Sequence, residues 1–166
     1  MRRYSKQQLF DEWVALEQAD SKWLEKLPAC PNAICIDEKG KPIDCDNGQW
    51  ESIGEANQNY HKNAKWCMRS KSKFLESGQQ CCYDEEGKLI TSGLGAGTPD
   101  RYAPALINAF FLLHFLHDVV PFFIALKLDK DKEGNPNLGA YLSVRPPSKG
   151  GGNCYKLCHF VIHSSC

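Results

Sequence analysis

The spacing of apolar positions changes character along the chain. Between Ser5 and Leu27, the residues Leu9, Trp13, Leu16, Trp23, Leu24 and Leu27 recur at roughly helical intervals. Ser5 with Gln8 has the form of a capping box, and Pro28 stops the run. The pattern predicts an N-terminal amphipathic helix whose Trp and Leu stripe faces the core. From Cys30 to Trp66 the periodicity gives way to turn signals, Glu38-Lys-Gly-Lys-Pro42 and Asp46-Asn-Gly48, so disulfides are expected to substitute for apolar burial there. Trp66 to Ile90 contains short strand-like pieces. Pro104 can open a helix through about His117, which hands over to a strand-like Val119 to Leu128. A hydrated loop from Asp129 to Gly139 then leads to Tyr141–Val144, a Pro-Pro turn, three glycines and a cysteine-rich tail. No internal repeat interrupts this order. The expected class is α+β, with an N-terminal amphipathic helix and short strands in one disulfide-stabilised domain.

The length of 166 residues fits one folding unit with its own core. Twenty basic and twenty acidic residues cancel, so no long-range field favours nucleic acid or an anionic membrane. The most apolar segment, Ala103 to Leu128, carries His114, His117 and Asp118 at its centre. A spanning helix needs about 20 apolar residues and pays heavily for a central charge, so this segment is read as buried and not membrane-spanning.

Nine cysteines against two methionines, widely spaced, fit a disulfide framework and hence an extracellular or otherwise oxidising compartment. The start Met-Arg-Arg-Tyr-Ser-Lys-Gln-Gln is basic but has no apolar stretch after it, so it is not a Sec-type signal. Export is expected to have used a trimmed signal or another route. Cys81 and Cys82 are adjacent in a β-prone segment, which sends their side chains to opposite faces and to different partners. Because nine is odd, at least one thiol of a monomer is expected to be free or to bond a second molecule, with Cys158 or Cys166 as the first choice.

Six stretches carry a family resemblance: Leu27-Pro-Ala-Cys-Pro31, Ala64-Lys-Trp-Cys-Met-Arg-Ser70, Gly78-Gln-Gln-Cys-Cys-Tyr-Asp84, Gly95-Ala-Gly-Thr-Pro-Asp-Arg101, His114-Phe-Leu-His-Asp-Val-Val-Pro-Phe122, and Tyr141 with Arg145-Pro-Pro-Ser148 closed by Cys154. In this order the chain resembles the AMOP domain, an extracellular module of adhesion-associated proteins. The resemblance implies that Cys30, Cys67, Cys81, Cys82 and Cys154 are disulfide-bonded, with Cys35, Cys45, Cys158 and Cys166 as further candidates. The resemblance covers most of the chain from Leu27 to Cys154, so the expected organisation is an N-terminal helix over 1–27, the AMOP-like domain over 28–154 and, outside the resemblance, a cysteine/histidine-rich tail over 155–166. It also implies an adhesion-like role in binding an extracellular protein or glycan, with no cofactor. Two cysteine positions of isthmin-type members are occupied here by Asn32 and Ala125, whose joint replacement suggests that they pair where present, unless Cys35 is a displaced substitute. Phe122 stands where the family's aromatic segment has tryptophan, keeping the apolar anchor without the indole donor.

Few constellations point to chemistry. Gly93-Leu-Gly-Ala-Gly97 lacks the Rossmann spacing and reads as a turn. Asp100 follows Thr98-Pro99 as a turn initiator whose carboxylate can accept backbone N–H bonds; Asp100, Arg101 and Arg145 are the candidates for ligand contact. Asp129-x-Asp131-x-Glu133-Gly134 repeats the first half of a calcium loop, but Ala140 occupies the position of the closing carboxylate and Pro136 interrupts it, so a solvated hairpin is expected. Cys154, Cys158, His159, His163 and Cys166 could together close a zinc shell, but oxidation of these cysteines is expected instead, and no bound metal. His114 and Asp118 stand four apart on one helical face. The structural reading is a buried His–Asp bond that locks the helix to the strand after it. The catalytic alternative is a secreted hydrolase or toxin-like effector that would use both with a free cysteine. A third reading is a structural spacer without a binding face.

Overall fold

The computed structural model describes residues 4–34, 49–71, 76–103 and 112–152. Cys35, Cys45, Cys154, Cys158 and Cys166, the turns at 38–42 and 46–48, and the whole metal-ligand set of the tail lie outside the described residues, as does most of the helix expected from Pro104. The chain has helices and a three-stranded antiparallel sheet with disulfides, an α+β fold. It forms two compact units. One takes in the described parts of Met1–Leu27, Lys73–Ser77 and Pro99–Pro146, the other those of Pro28–Ser72, Gly78–Thr98 and Pro147–Cys166.

The first unit is helical. Helix α1, Lys6–Ala19, starts at the expected capping box: the Ser5 hydroxyl accepts from the Gln8 amide at 3.2 Å and the Gln8 side chain accepts from the Ser5 amide at 2.9 Å. Its inward face differs from the expected Leu/Trp stripe. Phe10 and Glu17 are buried and Trp13 is half-buried, whereas Leu16 is 70% exposed and Leu9 is exposed too. The inward row runs Phe10, Trp13, Glu17 at helical spacing, and it is displaced from the leucines because the carboxylate at its end has a buried cation to meet. A 3₁₀ turn, Lys22–Lys26, buries Trp23.

The expected strand over Val119 to Leu128 is instead helix. Residues 112–114 are helical, Phe115–Val119 form a π turn, and α2 continues over Val120–Leu128. Periodicity cannot separate strand from helix in so apolar a run. Pro121 follows directly on the π turn, so its ring and missing N–H fall where the helix already departs from the regular α ladder. The short helix α3, Gly139–Val144, follows a hairpin in which Lys130 pairs antiparallel with Pro136. Two acidic residues of this hairpin are occupied by backbone: Asp131 accepts from the Asn135 amide at 2.7 Å, and Asp129 from the Ala140 amide at 2.6 Å. Tyr141 of α3 stacks on Trp13 and meets Phe122 edge-on.

The second unit is built on the sheet β1 (Trp50–Glu55), β2 (Trp66–Ser70) and β3 (Gln80–Tyr83), in that order. Strand β1 lies in the stretch read as turns; its alternation is hard to see because the inward positions after Trp50 are Ser52 and Gly54 while Ile53 faces out. Met68 pairs with Cys81 and Cys67 with Cys82, so the pleat sends these pairs to opposite faces. On one face Trp50, Trp66, Met68 and Tyr83 pack with Cys30; on the other Cys67 and Cys82 pack with Ala56 and Ala64. Gly97 lies so close to this sheet that a Cβ there would stand 2.5 Å from the Gln80 carbonyl oxygen.

The vicinal cysteines serve different partners. Cys81 is bonded to Cys30, 51 residues away, and Cys82 to Cys67, directly across the strand pair and 15 residues away. In chain order first bonds third and second bonds fourth, so the bridges interleave. No helix among the described residues is long and apolar enough to cross a membrane.

Candidate functional site

Of the residues singled out in sequence as candidate chemistry, Asp100, Arg101, His114, Asp118 and Arg145 converge in the helical unit. Arg145 follows α3 and is 0% exposed. Its Nη1 donates to Glu17 Oε2 at 2.7 Å, while Nε and Nη2 donate to Asp118 Oδ1 at 3.3 and 3.2 Å. The same group lies 5.1 Å from the Trp13 ring and 4.9 Å from the Trp23 ring, with further bonds to the Val144 and His117 carbonyls. Burial by itself lowers the Arg145 pKa, but the Glu17 hydrogen bond and the charges of Asp118 and Glu17 outweigh it and raise the pKa, so the cation is fixed. The indole N–H groups of Trp13 and Trp23 find no acceptor among the described residues; these rings act through their faces.

Asp118 is the hub. Besides Arg145 it accepts from the backbone amides of Arg101 at 2.8 Å and Tyr102 at 3.1 Å. A carboxylate eighteen residues beyond Asp100 thus holds the two amides that follow the Thr98-Pro99-Asp100 turn. His114 Nδ1 stands 3.0 Å from the Tyr102 carbonyl oxygen and 3.4 Å from Asp118 Oδ2, with Asp100 Oδ1 at 3.9 Å. The pair therefore fastens the helix to the 100–102 segment, and the strand to which it was expected to be locked does not exist. Arg101 pairs with Asp20, the C-cap of α1, and lies 5.3 Å from the Trp23 ring, so two guanidinium groups flank one indole.

Asp100, His114 and Asp118 also bring three potential ligand atoms within 4.8 Å of one another. Asp118 is a poor metal ligand nonetheless, because its lone pairs already face two amides and a guanidinium that would repel a cation. The same saturation works against a catalytic dyad. A base-orienting carboxylate needs a directional hold on the imidazole, whereas here the Tyr102 carbonyl stands closer to His114 Nδ1 than Asp118 does.

Glu17, Trp13 and Trp23 carry this network with Arg145, and sequence reading missed their roles. A lone glutamate on an otherwise apolar face is the available signal, and it names no partner 128 residues away. A second missed residue is His61 in the sheet unit. It is buried beside the Cys67–Cys82 bridge, with Nδ1 3.2 Å from the Ala96 carbonyl oxygen and Nε2 2.9 Å from the Gln80 side-chain nitrogen. Desolvation lowers its pKa, helped by the positive charge of Arg69 and only partly opposed by the hydrogen bonds to Ala96 and Gln80.

The AMOP domain family model matches residues 5–155. The chain is 32% identical over 129 residues to Sushi domain-containing protein 2 of Homo sapiens, an alignment covering 67% of this chain and 15% of that protein. The matched region is thus a small part of that relative. No solved structure matches the chain. With the family match running through both structural units, this protein belongs to the AMOP domain family of extracellular, adhesion-associated modules.

Proposed function

We propose that this chain is a non-catalytic AMOP module that works outside the cell by binding a protein partner through the helical face bearing Leu112, Phe115 and Leu116. The carrying observation is the exposure of that face: Leu112 is 55%, Phe115 40% and Leu116 50% exposed, three and four residues apart on one helix. Large apolar side chains grouped on one surface mark interaction sites more often than scattered ones do, and a spacer has no need of them. A protein partner suits the surface better than a glycan, since sugar binding favours exposed aromatic platforms and two of the three large apolar residues of this face are leucines. Of the four tryptophans, Trp23, Trp50 and Trp66 are buried and Trp13 is half-buried. The extracellular setting rests on the family and on the bridged cysteines.

The test is binding of the fluorescently labelled chain to cultured cells, compared with Leu112→Asp/Leu116→Asp. The double variant should keep the wild-type melting temperature and lose cell binding, and protease treatment of the cells should remove the binding site. Undiminished binding by the variant would refute the assignment of this face. A hydrolytic activity lost in His114→Ala without loss of stability would replace the binding module with a secreted enzyme.

A further inference from the structure

The geometry points to a latent zinc site in the sheet unit, made of His61, Cys67 and Cys82, that forms when the Cys67–Cys82 bridge is reduced. The imidazole and both sulfurs are buried and lie within 4.8 Å of one another. Tetrahedral zinc has bonds of about 2.3 Å to sulfur and about 2.0 Å to nitrogen, so its ligand atoms stand under about 4 Å apart. Cys67 and Cys82 are held opposite each other on paired strands, with Cα atoms 4.2 Å apart. After the S–S bond opens, small rotations can set both sulfurs around a metal without moving the backbone.

His61 is already arranged as such ligands are. One ring nitrogen points at a backbone carbonyl, Ala96 O, which fixes the Nδ1–H tautomer and leaves the Nε2 lone pair available. That lone pair faces the Gln80 amide nitrogen, which itself lies 3.9 Å from Cys82 Sγ. The amide thus bridges the nitrogen and the sulfur that a metal would join, and it must swing aside to admit one. Two thiolates, a neutral imidazole and Zn²⁺ sum to zero charge, which suits a buried site. Water completes the fourth position.

The chemistry balances with a dithiol reductant. The dithiol gives two electrons and two protons to the bridge and closes to its own disulfide, leaving Cys67 and Cys82 as thiols. Zn²⁺ then displaces both thiol protons to solvent. The oxidised chain has no thiolates here, so the site is conditional: bridge in an oxidising compartment, metal clasp where dithiols prevail.

The test must read these two cysteines apart from the others. The full chain is treated with a dithiol under native conditions and desalted, then alkylated with iodoacetamide with or without one equivalent of zinc, and each cysteine is quantified by peptide mass spectrometry. Zinc should slow alkylation of Cys67 and Cys82 together by roughly tenfold or more, and His61→Gln, which keeps a polar side chain beside Gln80, should abolish that protection. Because His61→Gln also removes a buried, hydrogen-bonded ring, Gln80→Ala serves as a second variant; it leaves all three ligands in place and should retain the protection. Zinc protection confined to other cysteines, equal protection in His61→Gln, or none in the wild type would each overturn the proposal.

Discussion

Replacing Arg145 with alanine should be among the most damaging single changes in the helical unit. The substitution removes a cation that is 0% exposed and leaves two carboxylates, Glu17 at 9% and Asp118 at 3% exposure, without it. Asp118 keeps its two backbone amides and stays anchored, so the heavier loss falls on Glu17, whose 2.7 Å bond to Nη1 disappears. Breaking a buried pair in this way costs about 3–5 kcal/mol, chiefly because a charge is stranded. The lost contact with two indoles acts in the same direction. Arg145→Lys keeps the charge but cannot reach both carboxylates and lie flat against the rings, so it should fall between wild type and alanine. Urea unfolding followed by tryptophan fluorescence measures each variant, and Glu17→Gln with the Glu17→Gln/Arg145→Ala pair closes a double-mutant cycle. Neutralising Glu17 first should make the loss of Arg145 distinctly cheaper. A loss under about 1 kcal/mol for Arg145→Ala, or strict additivity in the cycle, would refute the stranded-charge account.

Other perturbations have equally definite outcomes. Because the folded pKa of His61 lies below its ordinary 6.5, its contribution is fully present above that pH and is lost as pH falls through the lowered folded value; the melting-temperature difference between wild type and His61→Gln should therefore shrink on acidification from about pH 7.5, and a constant difference would contradict it. His114→Ala should cost about 1–3 kcal/mol by leaving the Tyr102 carbonyl unpaired, measured by the same unfolding curves; wild-type stability would refute the positioning role. Gly97→Ala should destabilise by about 1–3 kcal/mol, since its Cβ meets the rigid backbone of β3 and not a movable side chain, and a neutral result would show that the strand can yield. Reduction of Cys67–Cys82, closing 15 residues, should cost about 3 kcal/mol in the chain-entropy estimate, with an unchanged melting curve as the contrary result.

What could be read from the sequence was local or topological. The Ser5/Gln8 box is local chemistry that acts wherever the helix starts, and it is present as expected. The separate destinations of Cys81 and Cys82 follow from the two-residue period of a strand. Legibility ended where burial depended on a distant partner. Leu9 and Leu16 look like core until Glu17 is known to pair with Arg145, and Val119 to Leu128 looks like strand because an apolar run has no polar face to reveal its period. His61 carries no signal at all, because its sulfur neighbours come from two strands and no sequence spacing connects them.

The interleaved bridges also determine how the sheet unit responds to being pulled. Tension entering at Cys30 passes through sulfur to Cys81 and reaches Cys82 one peptide bond later, so the 51 residues spanned by the first bridge are short-circuited. With Cys67–Cys82 still closed, opening the first bridge would free the stretch from Cys30 to Cys67, about 125 Å at roughly 3.4 Å per residue. While the bond holds, none of this slack can be paid out, and the module transmits load as a short strap; cutting that one bond would turn it into a long tether.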